Sequence, residues 1–327
     1  MKRLIYIVLS AFSVTCCAPK EGYTTYTGPA QGTTYRIVAN PGSEAIEEGI
    51  TSVFEQIDLT FSMFNPASLV SRINRGETSE TTPLFDSCFG IARRVWSHSG
   101  GYYDITVKPL VDAWGFGPGE EQAEPCVDSI MQFVGMDKVE ISGGRIAKDD
   151  ARLQLDFSSV AKGFTVDCLA QMLEREGARD YLVEVGGEVR VKGVNAKGNP
   201  WRIGINRPEE GFSDEYQAVV TLGGALTSIA TSGNYRNWFT DEAGHRRVHT
   251  IDPTTGRPAI GSLLSVSIAA PTCAKADAFA TALMASGSIA RATPILPPEG
   301  VEYFIIYTDE GGSIATLHSP AFPFAQQ

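Results

Sequence analysis

The chain has 327 residues, 43% of them hydrophobic and 20% charged, with a formal net charge of -11. That length provides for one large domain, or two intimate ones, with a sizeable core. No basic run follows residue 3, so an acidic chain of this kind is a poor candidate for binding nucleic acid.

The amino-terminal segment bears on compartment. Lys2 and Arg3 form a short positive region, and residues 4–12 are apolar except for Ser10. The run is too short for a permanent membrane span and has the length of a signal-peptide core. It ends in Val14-Thr15-Cys16-Cys17, which resembles a lipobox: Val14 stands three residues before Cys17, the candidate lipidation site. The sequence therefore predicts a signal peptide over 1–16, a polar tether over 17–30 rich in Thr, Gly, Pro and Tyr, and a folded domain over 31–327. It also predicts an exported, lipid-anchored protein.

Periodicity predicts the elements of that domain. Residues 35–39 form a short strand. Over 43–63, Ile46, Ile50, Val53, Ile57 and Phe61 recur at helical spacing, with Ser43 as N-cap. A second helix carries Phe85, Cys88, Ala92, Val95 and Trp96, and a third covers 125–133. Strands follow at 138–141, 145–147 and 153–157, then a helix over 159–176. Further strands fall at 181–185, 188–191, 201–205, 218–222, 226–229 and 264–269. A helix over 273–285 and a closing hairpin, 303–307 with 313–317, complete the chain. The elements come in blocks without a βαβ rhythm, which indicates an α+β fold.

Of the six cysteines, Cys88, Cys126, Cys168 and Cys273 lie in the domain. None has CxxC or Cys/His spacing, so a zinc site is not indicated; pairing and buried free thiols both remain open. Several segments suit a polyanionic ligand. Gln31-Gly32-Thr33-Thr34-Tyr35 is a small, hydroxyl-bearing turn. Gly100 to Thr106, running on to Trp114-Gly115-Phe116-Gly117, combines glycines, aromatics and an acid, as a planar ring with polar edges requires. Ser158-Ser159-Val160-Ala161-Lys162-Gly163 passes from strand into helix, where free N–H groups and a lysine favour phosphate. Gly186-Gly187-Glu188, Thr231-Ser232-Gly233-Asn234-Tyr235-Arg236 and His249-Thr250-Ile251-Asp252-Pro253 are the others. Each alone is equally an ordinary turn or bulge. Asp277 and Thr281 stand four residues apart, so their oxygens share one helix face and can meet one hard cation such as Mg²⁺ or Ca²⁺. Spacing alone equally describes an acid in a helix's first turn.

Taken in order, these segments resemble the ApbE family, the FAD:protein FMN transferases. Gly32-Thr33-Thr34-Tyr35, the 61–74 stretch, 104–117, Ala161-Lys162-Gly163 with Asp167, Gly186-Gly187-Glu188, 231–236, 249–256 and Ala276 to Thr281 all match the family pattern. The resemblance implies an ApbE-like, T-fold-related domain of two intimate lobes with the flavin and metal site between them. It implies cleavage of FAD with Mg²⁺, release of AMP, and attachment of FMN to a Ser or Thr of an acceptor flavoprotein. Carried over with it are Gln31, Phe64, Asp104, Ile105, Thr106, Lys162 and Ile251 for flavin and phosphate, and Asp277, Thr281 and the Ser159 carbonyl for the metal. His249 and Asp277 are the candidate bases for the acceptor hydroxyl. A Mg²⁺-dependent FAD pyrophosphatase and a non-catalytic FAD-binding lipoprotein are the alternatives. AMP release without acceptor marks the first, and bound flavin without turnover the second.

The lipobox reading predicts that Cys17→Ala moves the protein from the membrane fraction to the soluble one. Wild-type protein that fractionates as soluble, with a mature amino terminus other than Cys17, contradicts it.

Overall fold

The computed structural model describes residues 22–118, 125–208, 216–233, 238–240 and 246–326. Cys17, the signal peptide and lipobox, and Asn234-Tyr235-Arg236 lie outside the described residues.

The described chain opens with β1 (Thr24–Ala30) and β2 (Thr33–Asn40), an antiparallel hairpin turned at Gln31-Gly32 with φ of 50° and 74°. This corrects the tether expected over 17–30: residues 24–30 are a sheet edge. Thr24, Thr25, Tyr26 and Thr27 are β-branched or aromatic, which suits a half-exposed strand, and Pro29 is tolerated because the strand is an edge. α1 (Glu44–Phe61) follows, with Ser43 Oγ accepting the Ile46 N–H at 3.2 Å and the expected apolar stripe buried. Then come α2 (Leu69–Asn74), α3 (Pro83–His98), α4 (Lys108–Ala113), α5 (Val127–Met131) and the hairpin β3 (Val139–Ser142) with β4 (Arg145–Lys148).

The strand expected over 153–157 does not form. Leu153, Leu155 and Phe157 are buried, as the alternation indicated. Their backbone, however, is partnered by a side chain: Asn74 Nδ2 donates to Leu155 O at 2.9 Å and Asn74 Oδ1 accepts the Leu155 N–H at 2.8 Å. Asn74 thus satisfies the Leu155 amide on one side, while on the other Gln154 makes a single parallel bridge to Val107 and the Asp156 N–H donates to Ile105 O at 2.7 Å, too little pairing for a strand.

The rest of the chain supplies α6 (Ala161–Arg175), β5 (Asp180–Val185), β6 (Glu188–Lys192), β7 (Trp201–Asn206), β8 (Tyr216–Leu222) and β9 (Ser228–Gly233). β9 starts two residues later than expected. Short pairs follow, β10 (Trp238–Thr240) with β11 (Arg246–Val248) and β12 (Ile251–Asp252) with β13 (Arg257–Pro258). Last come β14 (Leu263–Ala270), α7 (Cys273–Ser286), α8 (Ile289–Ala292), β15 (Glu302–Thr308) and β16 (Ile314–His318). Eight strands form one antiparallel sheet in the order β1-β2-β5-β6-β9-β14-β15-β16. α1, α3, α6 and α7 cover one face through Ile46, Phe85, Leu169 and Phe279 against Ile37, Val183 and Ile268. The β7–β8 hairpin covers part of the other, packing Trp201, Ile205 and Val220 with Val189, Val191 and Ile229. A small third cluster joins α4 and α5 to Ile251. The architecture is α+β in a single domain.

α6 and α7 are locked by each other's carboxylates. Neither has a side-chain cap of its own at its amino end. Asp167 of α6 accepts the N–H groups of Cys273 (3.0 Å) and Ala274 (2.9 Å), the first turn of α7. Asp277 of α7 accepts the Gly163 N–H at 3.0 Å, in the first turn of α6. Carboxylates at these positions satisfy orphan donors and complement the helix dipole. Arg190 of β6 completes the charge balance, 2.6 Å from Asp167. The approach is close enough that a Cβ on Gly163 would lie 2.5 Å from the Cys273 carbonyl oxygen and 2.8 Å from Asp277 Cβ. Gly163→Ala is therefore expected to cost about 1–3 kcal/mol through overpacking, read as a lowered urea midpoint. An unchanged midpoint contradicts the close contact.

Candidate functional site

The same helix pair builds the floor of a cleft of about 600 Å³. α6 begins where Phe157-Ser158-Ser159 turns in from the extended 153–157 segment, so Lys162 stands in its first turn. The β5–β6 turn, Gly186-Gly187 at φ of 64° and 105°, brings Glu188 to the start of β6 and against Lys162. Lys162 Nζ and Glu188 Oε1 form a short ion pair; the Glu188 side chain is 4% exposed and that of Lys162 34%. Burial works against the charge on Lys162, but the carboxylates of Asp277 and Glu188 outweigh it and hold the amine protonated well past its ordinary range. Burial pushes the Glu188 and Asp277 carboxyls up, opposed in both by Lys162.

Asp277 is buried in α7, a helix apolar nearly all round and enclosed for that reason. One carboxylate oxygen caps Gly163. One turn on, Thr281 Oγ1 lies 3.3 Å from Ser232 Oγ of β9. Ser159, whose Oγ donates to the Tyr103 hydroxyl at 3.1 Å, borders the same floor. No group of three or more His, Cys, Asp or Glu among the described residues could hold a metal. The floor offers instead the Asp277 carboxylate and the Thr281 hydroxyl one turn on, hard-oxygen donors that suit Mg²⁺ with waters and a phosphate ligand filling its shell.

The walls are of different character. Phe64, 75% exposed, stands on the rim, and Tyr102, Phe116, Val107 and Val111 provide further apolar surface. Beside them lies the 249–253 segment with His249 and Ile251, the latter packed in the same apolar cluster as Val107, Val111 and Phe116. It is tied down through Asp252, which accepts Arg291 Nη2 at 2.5 Å, while Arg291 Nε donates to the Tyr102 hydroxyl at 3.0 Å. An aromatic wall beside a floor with a lysine at a helix start suits a ligand with a planar ring at one end and anionic groups in the middle.

Of the residues singled out from sequence, Phe64, Asp104, Ser159, Lys162, His249, Ile251, Asp277 and Thr281 all line this cleft. Gln31, Ile105 and Thr106 do not. Gln31 sits at the hairpin tip, where its Nε2 donates to Thr165 Oγ1 of α6 at 2.7 Å. Ile105 is fully buried in the main core. Thr106 is buried too: its N–H and hydroxyl donate to Asp104 Oδ1 at 2.7 and 2.6 Å, and its oxygen accepts the Gly135 N–H. The Met136 N–H occupies the other Asp104 oxygen, so this acid chiefly braces its own turn. Two lining acids had no role assigned from sequence. Glu188 was part of a Gly-Gly turn motif, and an acid directly after such a turn is its only sequence signal. Asp156 is buried with its carboxyl pushed up by burial and eased by the Ser158 N–H; it lay within a segment read as a strand. The four described cysteines are free thiols, with Cys88 and Cys273 buried.

Comparison with known proteins agrees with this geometry. The model of the ApbE family matches residues 31–305. A FAD:protein FMN transferase of Vibrio cholerae is 33% identical over 95% of this chain and 96% of its own length. One of Escherichia coli K12 is 34% identical over 91% and 88%. The solved structure of the flavin transferase ApbE from Vibrio cholerae superposes with a TM-score of 0.81 at 31% identity, covering 92% of this chain and 98% of that one. The apo flavinyl transferase ApbE of Pseudomonas stutzeri gives 0.79 at 30% identity, over 91% and 95%. With the family pattern matched across nearly all of the described fold, this chain belongs to the ApbE family.

Proposed function

We propose that this protein is a FAD:protein FMN transferase: it takes FAD, uses Mg²⁺, and joins the FMN phosphate to a Ser or Thr hydroxyl of an acceptor flavoprotein, releasing AMP. The observation that carries the reading is the joining, in one cleft, of a lysine at a helix start, a buried carboxylate with a hydroxyl one turn away, and an exposed aromatic rim. We further propose that it works outside the cytoplasm, held to a membrane by lipid on Cys17.

The displacement asks for few groups. The acceptor oxygen forms a bond to the flavin-side phosphorus, the bond from that phosphorus to the bridging oxygen breaks, and AMP leaves with the electron pair. Charge on the pyrophosphate must be neutralised for the attack to proceed. Lys162 does so from the floor, at the positive end of the α6 dipole. Asp277, Thr281 and the Ser159 carbonyl would hold Mg²⁺, which supplies further neutralisation of phosphate oxygens when bound. Phe64 and Ile251 bound the ring. The acceptor's proton goes to a base, and of the two candidates His249 is the better placed: it is exposed on the cleft wall, where a protein acceptor can reach it. Asp277, enclosed beneath and already capping Gly163, is suited to holding the cation.

Asp277→Ala is expected to abolish most AMP release and FMN transfer at saturating FAD, with little rescue by excess Mg²⁺. Thr281→Val should be milder and partly rescued. EDTA should stop the wild type and Mg²⁺ restore it. Wild-type turnover in EDTA, or normal turnover by Asp277→Ala, contradicts the metal assignment. Lys162→Ala should weaken FAD binding by about 1.5–3 kcal/mol, the range for a charge-assisted contact; unchanged affinity by calorimetry contradicts its phosphate role.

A further inference from the structure

Glu188 is a costly residue for this protein to bury. Its side chain is 4% exposed, and its Oε2 is enclosed with no hydrogen-bond partner among the described residues. Its Oε1 meets one cation, Lys162. A carboxylate taken from water with one oxygen unsatisfied adds little net stability, so its retention calls for another explanation. The turn before the pair requires glycine on other grounds: Gly186 has a φ of 64°, and a Cβ there would lie 2.8 Å from Thr33 Cγ2 while only touching Glu188 Oε2 and Lys162 Cδ at 3.4 and 3.5 Å. Lys162 is also attracted by Asp277, the second acid of the floor.

We infer that Glu188 is a positioning residue: its buried carboxylate is the fixed counter-ion that holds the Lys162 ammonium at the cleft floor, ready for a diphosphate ligand, once a cation has engaged Asp277. The inference rests on the transferase reading only for the identity of that ligand. Asp277 cannot serve both a cation and the lysine to the full, whereas Glu188, anchored at the start of β6, stays on Lys162 throughout. Lys162 stands on a flexible four-carbon stem, and a fixed partner removes the freedom that binding would otherwise have to take away.

The test uses two readouts on the full chain. In the first, the ligand-free protein is acylated with an amine reagent, and labelling of Lys162 is followed by peptide mass relative to exposed Lys197. Glu188→Gln should speed Lys162 labelling about tenfold, because the amine loses a partner that holds it charged; a wild-type rate overturns the inference. In the second, calorimetry with Mg²⁺ and FAD compares Glu188→Gln in the wild-type and Lys162→Met backgrounds. About a tenfold loss of affinity in the first background and none in the second supports action through Lys162. Equal losses in both overturn it. If Glu188→Gln does not fold, Glu188→Asp, which keeps the charge but withdraws it, should give intermediate labelling; labelling at the wild-type rate overturns the inference. The acylation arm needs neither FAD nor turnover, so it stands or falls apart from the transferase reading.

Discussion

The contact on which the rest depends is the one between the first turns of α6 and α7. Each helix leaves its amino end uncapped by its own residues and receives a carboxylate from the other, Asp167 in one direction and Asp277 in the other. Gly163 permits the approach. The exchange does two things at once. It satisfies buried N–H groups that would otherwise each cost about 1–3 kcal/mol, and it sets the position of Asp277 to hydrogen-bond precision. A site residue held by a cap cannot drift without uncapping a helix, and this is how the fold preorganises the cleft floor.

The floor's electrostatics follow from that arrangement. The chain is acidic overall, yet the proposed substrate is a polyanion. Net charge is therefore no guide to the site; local order is. Two buried carboxylates, Asp277 and Glu188, enclose one ammonium, Lys162, so the floor without ligands carries an excess of negative charge. In the proposed reading such a floor favours a divalent cation first, and the cation together with Lys162 then favours phosphate. Above it the charges give way to Phe64, Tyr102 and Phe116, so one cleft runs from an ionic floor to an apolar slot.

Much of this was legible in the sequence where local chemistry decides the outcome. Ser43 as a cap, the stripe of α1 and the helix bearing Asp277 and Thr281 depend on neighbours in sequence, and the structure has them as expected. The misreadings arise where distant residues decide. The polar run 24–30 looked like a tether because its strand partner, β2, lies beyond a turn whose Gln31 adopts a positive φ that its side chain does not advertise. Residues 153–157 alternate like a strand, but Asn74, far off in sequence, takes the Leu155 hydrogen bonds and only Gln154 and Asp156 meet the backbone of 105–107. Ile105 and Thr106 belong to a segment that borders the cleft through Tyr102, Tyr103, Asp104 and Val107, and spacing does not tell which of its residues turn inward; Gln31 belongs to a hairpin tip, none of whose residues 31–35 lines the cleft. The Glu188–Lys162 pair joins residues 26 apart, with the rest of α6 and the strand β5 between them, and no period in the sequence marks it.

The central claim is that this cleft moves FMN from FAD to a protein hydroxyl. It is tested most directly by incubating the protein with FAD, Mg²⁺ and a candidate acceptor domain, then measuring the acceptor's intact mass and the AMP formed. The account predicts that the acceptor gains the mass of FMN less water at a Ser or Thr, with AMP appearing in equal amount. AMP accumulating while the acceptor's mass stays unchanged, or FAD recovered intact, would contradict it.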